Sequence, residues 1–376
     1  MKHLSLYSYG ANIPHPDKAD RGGEDAYFVS LPKTSAVGIA DGVGGWANQG
    51  VNPKDFADDL MAFTLDSILD GERNPLIALN TSFKQVEQIG SCTAVIGIMS
   101  DKGTFNAINI GDSGFMIVRD SKIMFRTEEQ QHGFNFPFQL GKVLGKGSKY
   151  YPHGQDRPHH GETYEIMLKE GDIIIFGSDG IFDNMWDKDI LDLVNANSQD
   201  GPKRLSSILA KQAHEEAKRE DIWTPFAQRA YEDKSVNITK QNAKQWLGGK
   251  MDDITVVASY VYPYTQNLMA ETNQSLNESK LNVGASPPMT MKKFQIGDRY
   301  NIQDDRYEQI KGVDEFYITI KSRTPRYINF SHETHQTYTF NDGRLNGDKA
   351  FIRTDDDGNE YLILFPKEYD IIIYAK

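Results

Sequence analysis

Three apolar runs in this chain begin or end on carboxylates. "AVGIADGVGG" (36–45) carries Asp41 ahead of Gly42, "DIIIFGSDGIFDN" (172–184) carries Asp179 ahead of Gly180, and "MDDITVVASYV" (251–261) opens on Asp252 and Asp253. Short runs of Val, Ile and Phe bounded by Gly and Asp predict strands. The end of a buried strand is a costly place for a charged carboxylate unless a counter-charge offsets the lost hydration. A divalent cation is such a counter-charge, and ligands that are all oxygen select Mg²⁺ or Mn²⁺. A lone Asp-Gly pair usually marks only a turn, but here the pattern recurs. Glu24 and Asp25 follow Gly22-Gly23 and precede the apolar "AYFVS"; Asp112 sits where "FNAINIGDSGFMIVRD" (105–120) meets a glycine turn. These acids are scattered along the sequence, so only a fold can gather them. Gathered without cations, they would repel one another and hold their protons.

Positioning such a set takes strands ending together, with helices to cover them. Residues 52–71 place Phe56, Leu60, Phe63 and Ile68 at near-helical spacing, with Asn52 as the candidate cap before Pro53. Residues 74–90 read as a second helix ending at Gly90. The two form a helical hairpin between strands at 36–40 and 91–99, and residues 202–220 form a further amphipathic helix. Such helices ordinarily cover a sheet.

The wording and order of the segments resemble the metal-dependent serine/threonine protein phosphatases of type 2C, over about Ser5 to Tyr262. The matching stretches are "IPHPDK" (13–18), "GGEDAYF" (22–28), "ADGVGGW" (40–46), "GSCTA" (90–94), "NIGDSGF" (109–115), "QQHGFNFPFQLG" (130–141), "SDGIFDN" (178–184), "TPFA" (224–227) and "GGKMDDITV" (248–256). Any one is weak; all in the family's order are strong. They are closest to a eukaryotic branch with members in mitochondria or chloroplasts. The resemblance implies an α+β fold of two antiparallel sheets sandwiched between helical layers (αββα), with the metals at one edge. It implies two Mg²⁺ or Mn²⁺ ions, with a third, weaker one in several members. It also implies roles. Asp41 would bridge the two ions, and the Gly42 carbonyl and Glu24 would serve the second. Asp179 and Asp252 would complete the first, and Asp112 with Asp179 would hold the third. Asp25 would hold bound water. Asp253, where many members carry Asn, would stand behind the ligands. Two ions sharing a water can activate it for in-line attack on phosphorus and neutralise the growing charge.

Two positions depart from the broad pattern. Val43 stands where many members carry a His thought to protonate the leaving alkoxide; the nearest branch shares this Val, so that proton must come from a bound water or another group. The family's phosphate-binding Arg lies four residues before the Glu; here Arg21 lies three before Glu24 and Lys18 six before it. Either could reach a phosphate, or be a solvated loop charge. Cys92, the sole cysteine, lies in a strand-like apolar run without basic neighbours, which argues against a cysteine nucleophile. His153, His159 and His160 lack the spacing of a zinc site and read as a surface loop near the active face. His132 and Phe134, in the branch motif, could serve packing or substrate positioning.

At 376 residues the chain exceeds one core, and a second domain is expected. We expect a catalytic domain over 1–264 and an Asn/Ser/Thr-rich linker over 265–291. A small all-β domain of short aromatic strands, belonging to no family we recognise, would follow over 292–376. In it, "DDDG" before "EYLILF" reads as a hairpin turn. The net charge of −12 argues against nucleic acid and anionic membranes as partners, and no apolar run is long enough to span a membrane. One cysteine suits a reducing compartment. With no targeting peptide ahead of the matching region, the cytoplasm is expected, and mitochondrion or plastid only with an upstream start. The function expected is a phosphoserine/phosphothreonine protein phosphatase, with docking through the C-terminal domain. A catalytically silent binding protein on the same scaffold, or a phosphatase of a small metabolite, are the alternatives; the filled acid set favours activity.

Overall fold

The computed structural model describes residues 3–142, 156–233, 236 and 247–264, and short strands within 298–365. The chain forms two compact units, Met1–Pro288 and Met289–Lys376. The expected linker, 265–291, lies outside the described residues.

In the first unit, β1 (Leu4–Ile13), β2 (Asp25–Val29) and β3 (Ala36–Asp41) are followed by helices α1 (Pro53–Leu69) and α2 (Pro75–Gln85). Then come β4 (Gly90–Cys92), β5 (Ala94–Met99), β6 (Thr104–Ile110), β7 (Gly114–Arg119) and β8 (Lys122–Arg126). Short strands β9 (Gln131–Gly133), β10 (Phe136–Pro137) and β11 (Leu140–Lys142) precede β12 (Glu162–Met167) and β13 (Ile173–Gly177). Helices α3 (Asp179–Phe182), α4 (Asp187–Asn197), α5 (Gly201–Ala217) and α6 (Pro225–Glu232) lead to β14 (Ile254–Pro263).

Two five-stranded antiparallel sheets carry the fold, in the orders β1-β14-β13-β7-β8 and β12-β6-β5-β3-β2. The central strands are apolar on both faces, and their two-residue period sorts side chains into separate cores. Ile174 and Phe176 of β13 meet Val37, Ile39, Phe105 and Phe115 between the sheets. Ile173 and Ile175 face outward to Leu205 and Leu209 of α5. On the other side Ile96 and Ile98 of β5 meet Phe56 and Leu60 of α1 and Leu79 of α2. Three apolar layers therefore bind four layers of structure in the order helices, sheet, sheet, helices. This is the expected sandwich.

Local details differ from the sequence reading. Asn52 stands at the start of α1, but its side chain caps nothing; its amide donates to Asp55 Oδ1 at 2.9 Å. Asn74 does cap α2, accepting from the N–H groups of Leu76 and Ile77. That helix stops at Gln85, not Gly90: Val86 turns extended and is wholly buried in the core, which ends the helical register. Gly90, at φ 144°, instead opens β4. The predicted strand over 91–99 is two strands broken at Thr93. The helix expected at 202–220 spans Gly201–Ala217.

The second unit carries β15 (Asp298–Asn301), β16 (Arg306–Gln309), β17 (Ile318–Thr319), β18 (Arg326–Phe330), β19 (Arg344–Leu345), β20 (Asp348–Thr354) and β21 (Glu360–Phe365). They form sheets of three and four strands. β20 and β21 pair antiparallel across the "DDDG" segment, from Thr354 opposite Glu360 outward. The expected strands "QTYTF" and "YDIIIY" lie outside the described residues.

Candidate active site

The acid-bearing segments meet at one end of the sandwich. Asp25 opens β2 and Asp41 closes β3, and the two are direct partners across that antiparallel pair. In the other sheet Gly177, at the end of β13, pairs with Gly114 at the start of β7 and with Val256 near the start of β14. The turns carrying Asp179, Asp112 and Asp252-Asp253 therefore share an edge. Ser178 joins the sheets: its hydroxyl donates to Asp25 Oδ2 at 2.8 Å and accepts the Thr255 N–H at 3.0 Å.

Close backbone approach shapes this end. A side chain on Gly42 would put its Cβ 2.6 Å from the Glu24 carbonyl oxygen and 2.9 Å from that of Pro53. The Gly42 N–H donates to the same Glu24 carbonyl. Gly23, at φ 79°, lets the turn before Glu24 pass Asp253, whose Oδ1 would lie 2.5 Å from any Cβ there. Asp253 is buried and binds this turn, accepting from His15 N–H at 2.7 Å, Glu24 N–H at 2.9 Å and Lys18 Nζ at 3.1 Å. The Asp41 carbonyl accepts the Thr93 N–H, and the Thr93 hydroxyl contacts Ser113 beside Asp112.

The electrostatics follow from this crowding. Burial first, then the carboxylates of Asp179, Asp25, Asp252 and Asp112, push Asp41 well above the ordinary carboxylate range. Burial and Asp179 raise Asp112, with Lys250 opposing. Burial and the charge of Asp253 push Asp25 up to about 8, against hydrogen bonds from Ser178 and Thr255. Burial likewise raises the Cys92 thiol, so no thiolate nucleophile is at hand.

Side-chain cations intervene. Lys18 Nζ lies 2.6 Å from Glu24, 3.1 Å from Asp253 and 3.4 Å from Asp252, and Arg21 reaches Glu24 at 2.8 Å. Burial opposes the Lys18 charge, but Asp252, Glu24 and Asp253 outweigh it and hold the ammonium above the usual range. Arg21 is the more exposed of the two and keeps part of its guanidinium open. Lys250 contacts Asp179 Oδ2 and lies 2.7 Å from Asp183 and 3.4 Å from Asp252. Arg229 of α6 pairs with Asp183, and with Glu129 at 3.2 Å.

The residues suit divalent cations. Asp25 Oδ1 and Asp179 Oδ1 are buried without a hydrogen-bond donor. Among the described residues, the side-chain cations paired with the carboxylates of Glu24, Asp179, Asp183, Asp252 and Asp253 are Lys18, Arg21, Lys250 and Arg229, while Asp25, Asp41 and Asp112 add three further buried acids. Fully ionised, that excess of negative charge suits divalent cations. Among the described residues no three acid or imidazole side chains converge on a common point at bonding distance.

Lys250, Asp183, Glu129 and Arg229 were not singled out from sequence. Asp183 and Lys250 lie inside matched motifs, so the signal was present; Glu129 and Arg229 carry no local signal. In the "QQHGF" motif, His132 stacks on Phe138 at 4.1 Å and pairs with Asp156 at 2.9 Å, while Phe134 packs on Phe226. His160 contacts Asp156 at 3.5 Å, and His153 lies outside the described residues.

Acids from separate turns thus gather at one edge of a two-sheet sandwich. No family model matches the chain. Curated relatives do. The chain is 37% identical over 267 residues to probable protein phosphatase 2C 80 of Arabidopsis thaliana, covering 69% of this chain and 60% of that one. It is 37% identical over 257 residues to the human protein phosphatase PTC7 homolog, covering 65% and 81%. The solved structure of the photosystem II phosphatase PBCP superposes with a TM-score of 0.61 at 29% identity, over 69% of this chain and all of that one. The chain belongs to the protein phosphatase 2C family. It spans 60% and 52% of the length of two Arabidopsis relatives, and 81% of the human one.

Proposed function

We propose that this protein hydrolyses phosphoserine and phosphothreonine in proteins with the help of two Mg²⁺ or Mn²⁺ ions. The observation that carries this reading is the convergence of Glu24, Asp25, Asp41, Asp112, Asp179 and Asp252 on one end of the sandwich, with more negative charge than its side chains neutralise. Asp41, the Gly42 carbonyl, Glu24, Asp179 and Asp252 are the residues that would hold the ions. Bound there, the ions would supply an activated water and stabilise charge on the phosphoryl oxygens.

The chain's own residues do the rest. Asp253 anchors the turn of Glu24 through two backbone N–H groups. Ser178 fixes Asp25 and so ties the two sheets at the site. Arg21, half-open beside Glu24, is placed to orient a phosphate, whereas the Lys18 ammonium is largely committed to carboxylates. Val43 offers no proton, so the leaving oxygen takes its proton from outside this position. We assign the second unit to docking of the protein substrate. No helix among the described residues is long and apolar enough to cross a membrane, and the unpaired Cys92 suits the cytoplasm.

The test is turnover of a phosphothreonine peptide and of p-nitrophenyl phosphate with Mn²⁺, Mg²⁺ or EDTA. Hydrolysis should need the metal and fall about a hundredfold or more in Asp41→Asn and Asp179→Asn. Folded protein inert with every metal would point instead to a binding protein on this scaffold.

A further inference from the structure

Lys250 is not an ordinary surface lysine. Its backbone is clamped on both sides by Asn184, buried just beyond α3: the Lys250 N–H donates to Asn184 Oδ1 at 2.8 Å, and its carbonyl accepts from Asn184 Nδ2 at 2.8 Å. Asn184 Nδ2 also donates to the Gly180 carbonyl, next to Asp179. The lysine is thus fixed to the helix that carries one of the proposed ligands. Its ammonium contacts Asp179 Oδ2, lies 2.7 Å from Asp183 Oδ2 and 3.4 Å from Asp252 Oδ2, and acts on Asp112 as well. The Phe226 ring stands 5.4 Å above it, backed by Phe134. An ammonium held among carboxylates under an aromatic face is a desolvated, oriented charge.

We propose that the Lys250 ammonium is a built-in cation that takes the place of a third metal ion at Asp112, Asp179 and Asp183. This rests on the phosphatase reading and deepens it: the site runs with two divalent ions, and the third positive charge is covalent. A tethered charge needs no metal concentration to fill its position. Its distance from Asp179 also sets how that carboxylate turns toward the ions. Lys250 is on this view a positioning residue.

The experiment counts Mn²⁺ bound to the full chain by electron paramagnetic resonance and titration calorimetry, with melting curves in EDTA. Wild type should bind two Mn²⁺. Lys250→Met, which keeps the stem under Phe226, should expose a third site or tighten the weakest one about tenfold or more. In EDTA it should melt below wild type, and Mn²⁺ should restore it by a larger margin. Lys250→Arg should keep the wild-type stoichiometry, and Lys250→Gln, which preserves a donor to Asp183, should repeat the Met result if the Met variant folds poorly. Three ions in wild type, or identical counts and affinities in the neutral variants, would overturn the proposal while leaving the phosphatase reading intact. Wild type that binds no Mn²⁺ would overturn both.

Discussion

Both oxygens of Asp253 are committed to the turn before β2: Oδ1 to the His15 N–H, Oδ2 to the Glu24 N–H and to Lys18. Removing a buried acceptor leaves those donors unpaired, at a cost of about 1–3 kcal/mol. Asp253→Ala should therefore lower the urea midpoint by that equivalent and weaken Mn²⁺ binding through a loosened Glu24. Asp253→Asn keeps one acceptor but turns an NH₂ toward a second N–H, so its loss should fall in between. Unchanged stability and metal affinity in Asp253→Ala would show that the turn holds without it. The same residue also bears on Asp25, whose pKa it raises by charge; one carboxylate thus serves as a brace and as a source of the repulsion that cations relieve.

At the scale of elements, the junction between β3 and α1 is tightly packed against the turn of Glu24. The last residue of β3 is Asp41, and the chain then makes one short 3-10 turn (Gly44–Gln49) before entering α1 at Pro53. Gly42 is pinched between the carbonyls of Glu24 and Pro53, at distances no Cβ tolerates without movement. Gly42→Ala should push the end of β3 away from β2, costing about 1–3 kcal/mol by overpacking and reducing metal affinity. Denaturant titration beside metal titration tests this; a variant with normal stability and normal Mn²⁺ binding would contradict the pinch. The element's hydrophobic pattern was readable beforehand, since Phe56, Leu60 and Ile68 are fully buried as their spacing implied. The early stop of α2 was not, because the burial of Val86 is a tertiary event.

Across the whole molecule, β1 and β14 are neighbours along their full length, from Leu4 opposite Pro263 to Ile13 opposite Ile254. The first and last strands of the sandwich thus close on each other, and the described residues of the inter-sheet core all precede Pro263. Deleting residues 265–376 should leave p-nitrophenyl phosphate hydrolysis within about twofold, since the site residues all precede Pro263 and additive effects are expected of independent units. Turnover of a phosphoprotein substrate should fall further if the second unit docks it. Equal loss on both substrates would make that unit a structural part of the catalytic domain.

The sequence by itself determined the acid set and the elements that present it. Carboxylates at strand ends announce themselves because burying charge without compensation is costly, and a continuous apolar run such as Ile173–Phe176 marks a strand covered on both faces. The family's motif order carried the sandwich and the roles expected of Glu24, Asp41, Asp179 and Asp252. Tertiary structure alone decided which cations meet which acids. Lys18 lies far along the chain from Asp252, and Arg229 from Asp183 and Glu129, so no local pattern links them. Lys250 sits two residues from Asp252, yet its ammonium reaches Asp179 and Asp183 because Asn184 fixes its backbone across a distance only folding creates. Electrostatic pairing depends on separation in space, and separation in space is what the fold supplies.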